Sequence, residues 1–74
     1  MYFTAIIEAI KLRRNSLKVT QETLSDLSGV AIGAIKKFES GRGSPTLITL
    51  QKLSDTLGLE ITLSIKKMVN NEES

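Results

Sequence analysis

Seventy-four residues make one domain, near the size at which a single core becomes marginal without disulfides, metal or a second chain. Cysteine and histidine are both absent, which excludes disulfides, thiolate chemistry and nearly every zinc, iron or copper site, and leaves only carboxylates, lysines and hydroxyls for catalysis. Ten lysines and arginines against eight acids give a formal +2, and neither a bilayer-length apolar run nor a leader pattern is present, so the expectation is a cytoplasmic, non-enzymatic chain with no cofactor and no membrane partner.

Thr4 is a candidate N-cap, and Ile6, Ile7, Ile10 and Leu12 recur behind it at helical spacing, predicting a first helix over about residues 4–15. Tyr2 and Phe3 are expected to fold back onto it. Thr20 caps a second, short helix with Leu24 and Leu27 on one face, and Gly29 is placed to adopt the left-handed conformation that ends it. After that tight turn, "AIGAIKKFES" resumes helical spacing with Ile35 and Phe38 inward, and stops before the loop marked by Gly41, Arg42, Gly43 and Pro45. Thr46 or Ser44 then caps a fourth helix whose inner stripe is Leu47, Leu50, Leu53, Ser54 and Leu57, with Gly58 as its stop.

Residues 59–67, "LEITLSIKK", change period: Leu59, Ile61, Leu63 and Ile65 alternate with Glu60, Thr62, Ser64 and Lys66, as a half-buried β-strand does. No other segment reads as a strand. Residues 68–74 are expected to be a disordered tail.

The charges are grouped. Lys11, Arg13, Arg14 and Lys18 occur with no acid between Ala9 and Gln21, and Lys36, Lys37 and Arg42 form a second group broken by Glu39. Brought together, the two groups would suit phosphate. On the third helix, a rotation of about 100° per residue puts Ile35 and Phe38 inward, Ile32 on the flank, and Gly33, Lys36, Lys37 and Ser40 outward. Such a small, basic face suits a DNA groove, where lysine reaches base edges or phosphates and glycine permits close approach. Two short helices joined by a glycine turn describe a helix-turn-helix.

From Ile10 to Leu59 the pattern "TQETLSDLSGV", "AIKKFESGRGSP" and "LITLQKLSDTLGL" resembles the Cro and phage-repressor type, the XRE family. That resemblance implies a mainly α, lambda-repressor-like domain of four to five helices over residues 1–58 that binds double-stranded DNA. It implies that Gln21 holds a phosphate at the start of the second helix, with Thr20 beside it either a further DNA contact or only a cap. It implies that Ser40 and Arg42 grip another phosphate, that Ile32, Gly33 and Lys37 face base edges, and that Lys36 lies nearer the DNA backbone. Relatives often carry hydrogen-bonding residues where this chain has Ile32 and Gly33, so readout there falls to a thymine methyl or to DNA shape. Glu39, on the inner edge beside Ile35, is implied to pair with Arg14 as a structural contact.

A lone strand needs a partner. Two copies of residues 59–67 are expected to pair antiparallel across a two-fold axis, laying Leu59, Ile61, Leu63 and Ile65 over the fourth or first helices of a homodimer, with Lys66 and Lys67 keeping the ribbon's edge soluble. The competing arrangement extends the fourth helix or wraps the segment over its own chain. A helix-turn-helix with one such strand is similar to the HipB-like antitoxins. Two functions are thus expected: a nucleoid-associated dimeric repressor on a palindromic operator, either of phage type or as the autoregulating antitoxin of a toxin–antitoxin pair, or a protein-interaction module that neutralises a HipA-like toxin kinase.

Overall fold

The computed structural model describes residues 4–65, and the expectations for Tyr2, Phe3, Lys66, Lys67 and the tail over 68–74 lie outside the described residues. It contains four helices, α1 (Thr4–Ser16), α2 (Gln21–Ser28), α3 (Ile32–Glu39) and α4 (Leu47–Thr56). Each boundary has a local cause. Thr20 and Thr46 stand in extended conformation and accept from the N–H of Thr23 and Thr49, capping α2 and α4.

The helix ends follow a common device. At α4, Gly58 takes φ 72°, its N–H reaches the carbonyl of Asp55 at 3.3 Å, and the N–H of Leu59 reaches that of Ser54 at 2.8 Å. This is the Schellman pairing. At α3, Gly41 repeats it with φ 78°, through Gly41 to Phe38 and Arg42 to Lys37. α1 ends the same way with Lys18 at φ 58°, a left-handed lysine in the place usually taken by glycine, which is why the sequence carries no glycine signal there.

Ile10, Leu24, Val30, Ile35, Phe38, Leu53 and Leu57 form the buried core, with Ile6, Ile7, Val19, Leu50 and Leu59 packed against it. α2 lies at the centre, against both α3 and α4, while α1 packs on α3. Three leucines expected inside are outside: Leu12, Leu27 and Leu47 are 64%, 67% and 68% exposed. Leu12 lies two residues past Ile10 and so is swung about 200° round the helix. Leu27 and Leu47 sit at the edges of their stripes, where these short helices have already turned away from the core.

No β-strand is present among the described residues. Residues 59–65 are neither helical nor paired in a ladder. A strand requires a hydrogen-bonded partner, and the described residues offer this segment none. Its apolar residues run from half-buried Leu59 through Ile61, 41% exposed, to Leu63 and Ile65, 99% and 98% exposed.

Leu24, fully buried at the centre of the packing, should lose about 2–5 kcal/mol of stability when changed to alanine. Leu27→Ala, three residues away and exposed, should stay within about 0.5 kcal/mol of the parent in the same urea titrations.

Candidate nucleic-acid interface

The turn between α2 and α3 is pinned from both sides. Gly29 takes φ 77° and donates to the carbonyl of Ser25. The Ser25 hydroxyl donates to the carbonyl of Val30 at 2.6 Å, and the N–H of Val30 donates to Ser28 Oγ at 3.2 Å. With Val30 buried, the two helices form one rigid corner.

α3 is held by its inner face, where Ile35 and Phe38 are 1% and 2% exposed and Glu39 is buried beside them. Glu39 is matched by charge. Arg14 Nε donates to Glu39 Oε2 at 2.8 Å, Arg14 Nη2 donates to Oε1 at 2.9 Å, and Nη1 donates to the carbonyl of Val19 at 2.7 Å. Such a two-pronged fork is the strongest geometry open to an arginine and a carboxylate. Gln21 Nε2 adds a third donor to Glu39, on Oε1 at 3.0 Å. The amide of Gln21 is therefore held from inside, and its second N–H has no partner among the described residues.

The outer face is open. Gly33, Lys36 and Lys37 are exposed, and among the described residues no carboxylate pairs with either lysine. At Gly33 a Cβ would meet nothing within 4 Å, so no packing within the chain calls for glycine there. Ile32 is half-buried on the flank. The N-cap residue Ala31 offers no side-chain hydrogen bond, which leaves the first amides of α3 without a cap.

The ends of the site are more committed than residue type suggests. Thr20 accepts from Thr23 N–H and donates to Thr23 Oγ1, so its hydroxyl is spent as a cap. Ser40 Oγ donates to the carbonyl of Lys37 at 2.8 Å and accepts from Arg42 Nε at 3.1 Å, so it braces Arg42 rather than standing free. Of the first basic group, Arg14 is consumed by Glu39, and Arg13 Nε donates to the carbonyl of Leu57 at 2.8 Å. Lys18 of that group is exposed, Lys11 is half-buried, and Arg13 stays exposed while its Nε is engaged. Arg13 satisfies the last turn of α4, where a cation also complements the helix dipole.

The fold and its open face fit one family. A helix-turn-helix family model matches residues 10–63, which spans most of the chain. The chain belongs to the XRE-type helix-turn-helix family. It is 36% identical over 56 residues, 76% of its length, to the cryptic phage CTXphi transcriptional repressor RstR of Vibrio cholerae. It is 34% identical over 59 residues, 80% of its length, to the SPbeta prophage-derived HTH-type transcriptional regulator YonR of Bacillus subtilis. These stretches span 50% and 55% of the two proteins, so the chain covers about half the length of the curated relatives it matches. No helix among the described residues is long and apolar enough to cross a membrane.

Sequence reasoning did not find Arg13 as the partner of α4, because that hydrogen bond joins residues 44 apart. The one local hint is the Gly58 stop, which marks where the free carbonyls of α4 lie.

Removing Arg14 strands a buried carboxylate and one end of the Gln21 amide network, so Arg14→Ala should lower stability by about 3 kcal/mol. Arg13→Ala, which removes a single capping hydrogen bond, should lower it by about 1 kcal/mol. Thermal and urea denaturation measure both, and equal effects would show that the Glu39 network carries no special weight.

Proposed function

We propose that the chain is a DNA-binding transcriptional repressor that inserts α3 into the major groove and acts as a homodimer on a palindromic operator. The observation that carries this reading is the outer face of α3, small at Gly33 and positive at Lys36 and Lys37, with no ion-pair partner for either lysine among the described residues. A glycine inside an exposed helix costs about 1 kcal/mol relative to alanine. That cost is explained if another backbone approaches closely there.

Roles follow from the placement. Lys37 reads base edges, Lys36 neutralises the DNA backbone beside it, and Ile32 packs on a thymine methyl. Gln21 offers its free amide N–H, with the first amides of α2, to one phosphate. Arg42, braced by Ser40, takes another.

Residues 59–65 support the dimer. They border an apolar groove of about 450 Å³ between α1 and α4, lined by Ile6, Ala9, Ile10, Leu47 and Leu50. Leu63 lies at its rim, and both Leu63 and Ile65 are almost fully exposed. A second copy of the same segment supplies both the missing ladder and the cover for these side chains. Two copies of α3 would then read half-sites one helical turn, about 34 Å, apart. Both relatives are named as phage or prophage regulators, which supports a phage-type repressor over the autoregulating antitoxin or the HipA-like kinase neutraliser.

Electrophoretic shifts with the chain's own promoter at two salt concentrations test the reading. Lys37→Ala should weaken operator binding by about 1–3 kcal/mol and relax base preference. Arg42→Ala should weaken operator and random duplexes alike and lower the salt slope by about 0.9 for each phosphate it no longer neutralises. Full binding by both variants would contradict the proposal. In sedimentation, Leu63→Asp should yield monomers, and an unchanged dimer mass would remove residues 59–65 from the interface.

A further inference from the structure

The geometry points to Gly43 as a positioning residue for Lys37, one that sets DNA specificity without touching DNA. The inference rests on the reading of α3 as the groove-facing helix. Gly29, Gly41 and Gly58 each have positive φ, whereas Gly43 does not, so its backbone imposes no need for glycine. The need is spatial. A Cβ at Gly43 would stand 3.2 Å from Lys37 Cγ, 3.4 Å from Cδ and 3.5 Å from Cε. Three successive carbons of Lys37 thus run along the loop, in contact with the space that a Cβ at position 43 would fill.

The loop is built around the same residue. The carbonyl of Lys37 accepts from the N–H of Arg42 at 3.2 Å and from Ser40 Oγ at 2.8 Å, so the chain leaving α3 is tied to Lys37 before it turns back over it. Beyond Gly43, the Lys37 stem borders a cleft of about 220 Å³ with Ala34, Phe38, Pro45 and Thr46. A free lysine samples many rotamers; this one is laid against a wall. Confinement fixes the direction from which its ammonium reaches a base edge, and lowers the entropy lost when it does. A methyl at position 43 presses on the stem at Cγ, which must shift by a few tenths of an ångström, and that shift, carried outward, redirects the ammonium.

The test compares the parent, Gly43→Ala, Lys37→Ala and the double variant for binding to the own-promoter duplex and to a random duplex, together with their melting temperatures. Gly43→Ala should melt at or above the parent, because alanine at a position without positive φ restricts the unfolded chain. It should nevertheless lose about fivefold in operator affinity, lose less on random DNA, and have no effect once Lys37 is alanine. Unchanged operator affinity, or the same loss with and without Lys37, would overturn the proposal. A Lys37→Ala variant that binds the operator as well as the parent would instead overturn the reading of Lys37 on which the proposal rests. In the free chain, nuclear Overhauser effects between Gly43 Hα and the Lys37 methylenes should be seen, and their absence would overturn the placement whatever the DNA results.

Discussion

The Glu39 carboxylate is buried and accepts from three donors on two other helices, the fork of Arg14 on α1 and the amide of Gln21 on α2. A carboxylate taken out of water without partners is costly by several kcal/mol, so the fold closes only when these helices are set for all three hydrogen bonds. The same arginine holds the carbonyl of Val19 in the connection between them. Hydrophobic packing of Ile35 and Phe38 draws α3 to the core, but apolar contact is non-directional. The hydrogen-bonded charge pair supplies direction, fixing how α3 is rotated and which residues it shows to solvent.

That constraint redistributes charge. Arg13 and Arg14 are turned to internal use, one capping α4 and the other neutralising Glu39. The cations left on the face of α3 are Lys36 and Lys37, with Arg42 just beyond its end. Gln21 joins the two regions, since its amide, at the start of α2, is held by the same carboxylate that orients α3. In this way one buried interaction relates the start of α2 to the outward face of α3, although neither lies inside the core.

What could be read in the sequence was mostly local. Thr20, Gly29, Gly41 and Gly58 mark helix ends because caps and left-handed turns act within a few residues. Ile35 and Phe38 were legible from spacing alone. Leu12, Leu27 and Leu47 were misplaced because periodicity gives the direction of an apolar stripe, not the arc that neighbouring helices cover. The pairing of Arg14 with Glu39 bridges 25 residues, so it came from family resemblance, and that of Arg13 with Leu57 came from neither source. The alternation in residues 59–65 is real in the sequence, yet a ladder is a property of two segments, and the described residues hold no second one.

The most direct measurement is an amide chemical-shift titration of the isotopically labelled chain with duplex DNA at low salt, where phosphate contacts dominate binding. The account predicts shifts concentrated at Gln21, across Gly33, Lys36 and Lys37, and through Ser40 to Gly43, with the groove between α1 and α4 undisturbed. Shifts confined to that groove, or none at the outer face of α3, would contradict it.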